Sequence, residues 1–277
     1  MLGPVMGEEA LPSQVAANGT DAVCRACGGA LQPAFDAVIF DDVPVTYYRC
    51  LLCRSLMLLD PHWLGRSYAS TFMPDPDVGA LRRSQFVSRV LRRMRGVGLL
   101  LRVCKSLDFG SGIGMLVRLE RDRDFEAFGY DKYATAKFAE QYCLRELPDG
   151  PFDVITCIEV LEHTTNPIEV LTSFRERIKN EGIVLVSTEL VDETIEASTW
   201  PYLAKEHGQH VTLFSHSGLR AAVDAADLTW VRTISFGRVP LLHVLVPKGR
   251  HLAAWKVVWL RFQHWVGEFN YESDLRV

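Results

Sequence analysis

Apolar positions along the central chain fall into short runs separated by polar or glycine punctuation. The first, Ser106-Leu107-Asp108-Phe109, leads into glycines at 110, 112 and 114 and then into Met115-Leu116-Val117-Arg118-Leu119-Glu120, a strand, a tight turn and a helix start. Phe125-Glu126-Ala127-Phe128-Gly129-Tyr130 and Phe152-Asp153-Val154-Ile155-Thr156-Cys157-Ile158 predict two further strands, and Gly182-Ile183-Val184-Leu185-Val186-Ser187 a fourth. Between the last two, Asn166-Pro167-Ile168-Glu169 combines a capping side chain, a first-turn proline and an acid at the third position, which predicts a helix that Gly182 ends. Leu228 to Pro247 alternates enough to predict a closing strand pair.

The ends of the chain read differently. Residues 1–20 have neither a basic leader nor a continuous apolar core, and predict a flexible tail. Val38, Phe40, Val43, Val45 and Tyr47 are strand-like around Asp41-Asp42, so a small hairpin is expected there. The aromatic and proline-rich stretch around Trp63, Tyr68, Phe72, Pro74 and Pro76 predicts a loop, followed by a helix with a stripe of Phe86, Val90, Leu91 and Met94. Leu252, Trp255, Trp259, Phe262, Val266 and Phe269 describe a C-terminal helical stripe that suits core burial, a membrane surface or a homodimer contact.

A glycine turn between strand and helix lets a ligand approach the main chain and faces unpaired N–H groups toward an anion. The spacing at 110, 112 and 114 is G-x-G-x-G, with Met115 where the dinucleotide fingerprint has its last glycine, which argues against NAD. Asp131 follows the second strand, 21 positions after Gly110, where a carboxylate can accept from ribose hydroxyls.

LDFGSGIG, the GYD ending at Asp131, and FDVITCIEVLEH, in that order, resemble class I S-adenosylmethionine-dependent methyltransferases over residues 106–248. The resemblance implies an α/β fold with a Rossmann-like, doubly wound seven-stranded sheet. It implies that Gly110, Gly112 and Gly114 hold the methionine part of the cofactor, that Asp131 binds its ribose and that Asp108 supports the turn. Only 20 residues (132–151) separate Asp131 from Phe152, so the intervening helix or strand must be curtailed, and no adenine contact is assigned.

Cys24-Arg25-Ala26-Cys27 and Cys50-Leu51-Leu52-Cys53 are two C-x-x-C pairs with 22 residues between them. Four thiolates suit a tetrahedral zinc site with no open position, and a module of this size has too little core to order itself, so Cys24, Cys27, Cys50 and Cys53 are expected to bind structural zinc at the base of a ribbon. Two disulfides or four unrelated buried thiols are the alternatives. The resulting division is a tail (1–20), a zinc-ribbon-like module (21–62), a linker with a basic helix (63–105), the methyltransferase domain (106–248) and a C-terminal amphipathic helix (249–277).

Composition changes this picture little: 277 residues, 48% hydrophobic and 23% charged, with a formal net charge of -4, describe a globular chain without general attraction to nucleic acid or anionic membrane. No stretch is long and apolar enough for a spanning helix, and thiols such as Cys104, Cys143 and Cys157 suit a reducing compartment, so a cytoplasmic location is expected. Local charge adds one feature. From Leu81 to Lys105 there are eight basic residues and no acid, either a solvated face or an anion-binding wall.

Ligands in open α/β sheets bind beyond the carboxyl ends of the strands, which puts Asp108, Asp131, Glu159 and the 189–210 region on one rim. There Glu159, Glu162 and His163 are candidates for orienting an acceptor, removing its proton or starting a helix; a similar Glu/Glu/His set in ubiquinone-biosynthesis O-methyltransferases can hold a divalent ion. His210, in the polar and aromatic segment from Trp200 to Ser215, is a second candidate base, or a histidine that only bonds its loop. The expected function is an S-adenosylmethionine-dependent methyltransferase for a small-molecule acceptor such as a sugar, a nucleotide-linked sugar or another metabolite. An RNA methyltransferase docking through ribbon and basic helix, and a non-catalytic cofactor-binding module, are the other readings. The ribbon itself, residues 21–60, sums to -2 and is a poor reader of phosphate backbones.

Overall fold

The four runs that begin at Ser106, Phe125, Phe152 and Gly182 all lie in strands of one central sheet. The structure, a computed structural model, describes residues 22–69, 79–192, 194–234 and 242–252. In chain order the elements are β1 (Leu31–Ile39), β2 (Val43–Cys50), β3 (Leu56–Leu58), α1 (Leu64–Ala69), α2 (Ala80–Gly96), β4 (Cys104–Phe109), α3 (Met115–Arg121), β5 (Phe125–Tyr130), β6 (Cys143–Leu144), β7 (Phe152–Ile158), α4 (Pro167–Arg177), β8 (Ile178–Ser187), β9 (Thr212–Leu213), α5 (His216–Ala225), β10 (Leu228–Ile234) and β11 (Leu242–Pro247). The expected tail and most of the expected C-terminal helix lie outside the described residues, as do Phe72, Pro74 and Pro76.

The large sheet runs β10-β11-β8-β7-β4-β5-β6. β4, β5, β6, β7 and β8 pair in parallel, and β11 joins antiparallel between β8 and β10. Its centre is apolar because both faces are covered: every side chain of β7 from Phe152 to Cys157 is buried. α4 and α5 pack one face, while α2 and α3 pack the other through Val87, Val90, Leu91, Met94, Leu116 and Val117. The chain runs from β4 outward to β6 and returns to β7 beside β4. That reversal opens a crevice at the carboxyl ends of β4 and β7.

The structure departs from the sequence pattern at several element boundaries. α4 begins at Pro167 as expected, but Asn166 makes no side-chain cap, and its carbonyl instead accepts from Val170 N–H. Gly182 does not end the helix. β8 starts at Ile178 and Gly182 lies inside it, after a register shift against β7 that absorbs the polar residues 179–181. The stretch expected as a loop after Trp63 holds the short helix α1, anchored by Trp63 Nε1 donating to the Gly208 carbonyl at 2.8 Å. The curtailed 132–151 segment is as expected, with a single 3-10 turn at Glu140–Tyr142 and the two-residue β6.

The ribbon forms its own sheet, in the order β1-β2-β3-β9. β1 and β2 make the expected hairpin, with Phe40 and Asp41 at positive φ in its turn. The fourth strand, β9, comes from the stretch of chain between β8 and β10 of the large sheet, so the ribbon is completed by Leu213 and Thr212 pairing with Leu56 and Met57 of β3. Ile39, Tyr47, Leu56, Leu58 and Trp63 of the ribbon side share one core with Val191, Trp200, Leu203, Val211 and Leu213.

Candidate functional site

β4 ends in the glycine turn, and α3 starts from Gly114 at φ 82°. A Cβ at 114 would collide with the Phe138 carbonyl, so the position accepts only glycine for packing as well as for its backbone angle. Gly112, at φ 54°, is different: a Cβ there would meet nothing within 4 Å, and its Cα faces open space. That space belongs to a cavity of about 630 Å³ bounded by Asp108, Gly110, Gly112 and Ile113 on one side and by Glu159, His163, Gln209 and His210 on the other. A backbone cradle bare of side chains on its open side is what a close-lying methionine or nucleotide group needs.

Asp131 closes the turn. Its Oδ2 accepts from Gly112 N–H at 2.9 Å, and its Oδ1 from the N–H groups of Tyr133 and Ala134 at 2.8 and 2.7 Å. Asp131 also borders a small recess with Cys143, Leu144 and Arg145 beside the main cavity. Asp108 is buried under the turn, where Thr156 Oγ1 donates to its Oδ1 at 2.8 Å; burial raises its carboxyl to about 7. The structure thus brings Asp108, Asp131 and the glycine turn together on one side of the cavity.

The opposite wall grows from the end of β7. Glu159 sits at φ 54°, an uncommon angle for a residue with a side chain, held by Glu159 N–H donating to the Ser187 carbonyl at 3.0 Å. Its carboxylate takes a short bond from Ser187 Oγ and lies 3.0 Å from Tyr202 Oη. Glu162 is fully buried, 2.5 Å from the same hydroxyl. One phenolic hydrogen serves only one of two carboxyl groups, so the trio holds together with one carboxyl protonated. Burial, reinforced by nearby Glu159, raises Glu162 well above the usual carboxylate range and marks it as the group that keeps its proton. Tyr202→Phe should therefore lower stability by about 1–3 kcal/mol, the cost of leaving buried polar partners unmatched. Urea denaturation reads this directly, and an unchanged midpoint and slope would remove the bridging role.

His163 and His210 meet across this network with ring centroids 4.8 Å apart. Nδ1 of His210 lies 2.5 Å from the Tyr202 carbonyl, which can only accept, so Nδ1 carries the hydrogen and Nε2 keeps its lone pair. Burial lowers both histidines, His163 to about 3 with help from His210, and keeps both rings neutral at ordinary pH. Glu162, His163 and His210 offer ligand atoms within 4.8 Å of one another. The structure thus gathers Glu159, His163 and His210 on one wall. Tyr202, which ties the wall together, was legible only as part of an aromatic segment.

At the ribbon, Cys24 Sγ and Cys53 Sγ lie 3.6 Å apart and Cys27 Sγ and Cys50 Sγ 3.5 Å, with all four within 4.8 Å of one another. These cysteines are free, and the separations are far beyond the roughly 2 Å of a disulfide. Four sulfurs about 2.3 Å from a common centre at tetrahedral angles stand at about this spacing, so the donor set fits zinc. Gly218, at the start of α5, leaves room for Ser55 and Cys53, while Ser215 and Ser217 hydroxyls donate to the Cys53 carbonyl. Of the basic helix, Arg83 reaches the cavity, whereas Arg95 donates to the Arg123 carbonyl and covers the Phe125 ring. The eight charges do not form one wall.

Comparison with known proteins adds the following. A family model described as a methyltransferase domain matches residues 80–233. The ubiquinone biosynthesis O-methyltransferase of Glaesserella parasuis serovar 5 (strain SH0165) is 27% identical over 95 residues, 34% of this chain and 38% of that protein. The protein of the same name from Dechloromonas aromatica (strain RCB) is 36% identical over 77 residues, 28% of this chain and 29% of that protein. The chain thus spans 38% and 29% of the length of these two curated relatives. Among solved structures, the Burkholderia thailandensis 1,6-didemethyltoxoflavin-N1-methyltransferase with bound 1,6-didemethyltoxoflavin and S-adenosylhomocysteine aligns at a TM-score of 0.51 and 16% identity. The alignment covers 78% of this chain and 100% of that one, a likeness of fold.

Proposed function

The chain belongs to the methyltransferase-domain family, and from that premise we propose that it methylates a hydroxyl of a small-molecule acceptor at the expense of S-adenosylmethionine, with His210 as the base. The carrying observation is a cavity that joins the glycine turn, open at Gly112, to the neutral histidine wall. Its volume of about 630 Å³ falls in the range of small-molecule sites. When bound, the cofactor supplies an electrophilic methyl group on a sulfonium. The chain's part is to hold the acceptor oxygen in line and to take its proton on His210 Nε2. Tyr202 fixes the tautomer of His210 through its carbonyl, and Glu159 with protonated Glu162 anchors Tyr202 from the other end.

Gly110, Gly112 and Gly114 are assigned to the methionine part of the cofactor, Asp108 to support of the turn and Asp131 to the ribose. Oδ2 of Asp131 takes a single N–H bond, so one of its lone pairs is left for a ribose hydroxyl. Asp131→Ala should weaken cofactor binding by about 1.5–3 kcal/mol, because a charged hydrogen-bond partner and the anchor of Gly112 N–H are lost together. Titration calorimetry measures this, and unchanged affinity removes the assignment. Cys24, Cys27, Cys50 and Cys53 are assigned to structural zinc, since four thiolates leave no coordination position for substrate.

The acceptor class is tested by offering labelled cofactor and purified protein either total RNA or a metabolite extract split by phosphatase treatment. Label in metabolites supports the proposal, and loss of label after phosphatase would mark an anionic acceptor near Arg83. Label in RNA, falling steeply as salt rises, overturns it. Among the described residues no helix is long and apolar enough to cross a membrane.

A further inference from the structure

Val211 joins the ribbon to both histidine segments. Its N–H donates to the Glu162 carbonyl at 2.8 Å, beside His163, and its own carbonyl accepts from Leu58 N–H of β3 at 3.0 Å. The same carbonyl accepts from Arg25 Nη1 at 3.1 Å, and that nitrogen also reaches Thr212 Oγ1 at 3.3 Å. Thr212 Oγ1 in turn donates to the Thr164 carbonyl at 2.8 Å, one residue after His163. The other arm of Arg25, Nη2, donates to the Leu59 carbonyl at 2.8 Å.

Arg25 stands between Cys24 and Cys27, on the knuckle that Gly28 N–H to Cys24 carbonyl and Cys24 N–H to Gly29 carbonyl bonds close. Its guanidinium therefore reads the shape of the cysteine cluster and fixes backbone next to His210 and His163. A forked donor suits this task because it spans two carbonyls from different segments at once. Trp63 to the Gly208 carbonyl and Phe40 N–H to the Lys205 carbonyl extend the same contact along the loop.

We infer that Arg25 is a positioning residue for methyl transfer, through which the cysteine ribbon holds the segments bearing His163 and His210 in register with the cofactor turn. The inference rests on the reading of the histidine wall as the acceptor side. The ribbon is then a template for the acceptor loop, placed by Leu58, Arg25 and the β3–β9 pairing, and not an appended docking module.

The test uses the full chain with Arg25→Ala and Arg25→Lys. Arg25→Ala is expected to keep one metal per chain by elemental analysis and to bind cofactor as before, while kcat falls on the order of tenfold or more, as expected when reacting groups drift from alignment. Hydrogen exchange of the 207–213 amides should quicken in step. Arg25→Lys keeps the charge but lacks the fork, and should show the same two changes at smaller size. It also carries the test alone if the alanine variant does not fold. Wild-type exchange and turnover in metal-loaded variants overturn the inference. Faster exchange and lower kcat in the Arg25 variants alongside unaltered turnover in His210→Ala would support the coupling and overturn the choice of base, so the two failures are distinguishable.

Discussion

His210→Ala is expected to lower kcat by about a hundredfold or more, the loss typical of a missing general base, with cofactor affinity little changed. The split follows from position: His210 lines the cavity on the wall opposite the glycine turn. The pH dependence sharpens it. Burial lowers His210 from its ordinary value near 6.5, so its neutral, proton-accepting form persists to lower pH than that of a free imidazole. The acid limb of the kcat profile should accordingly fall below pH 6.5, and it should vanish in the alanine variant. His163, lowered further to about 3, would place a limb near that value if it were the base instead. A limb above 6.5, or turnover unchanged in both alanine variants, would move proton removal elsewhere or point to an acceptor that needs none.

The second large effect is expected on metal removal. Chelation, or Cys50→Ser, should cost a substantial share of the folding free energy, because structural zinc contributes about 10–16 kcal/mol in small peptides whereas whole domains are stable by only about 5–15 kcal/mol. The damage should not stop at the ribbon. Cys24, Cys50 and Cys53 belong to the same buried cluster as Phe214, Leu219 and Ala222, and Ser215 and Ser217 hold the Cys53 carbonyl. Thermal unfolding followed with and without chelator should therefore show the large sheet destabilised along with the ribbon. Elemental analysis should find one zinc per chain. A metal-free, reduced protein with an unshifted Tm would sink the assignment.

Much of the central sheet was legible because its strands report burial directly: Val154-Ile155 in β7 and Ile183-Val184-Leu185-Val186 in β8 are apolar at successive positions and buried on both faces. Two boundaries misled for local reasons. Gly182 resembles a helix stop, yet it serves a bulged strand where its missing side chain lets Ile178 pack. Asn166 resembles a cap, yet its side chain makes no capping bond, and Pro167 fixes the helix start.

The glycine turn, Asp131 with its spacing, the four cysteines and the two histidines were readable in the chain alone as candidates, since each is a residue type set in a local motif. Which of these meet is set by how distant segments pack. That Tyr202 bridges Glu159 and Glu162, and that its carbonyl sets the His210 tautomer, depends on folding a loop over the end of β7. That β9 completes the ribbon, so that Arg25 touches Val211 from 186 positions away, depends on strand pairing across the chain. Such contacts leave no periodic trace, because a hydrogen bond between distant segments is fixed by where the packed core brings the backbone, not by the neighbours of either residue.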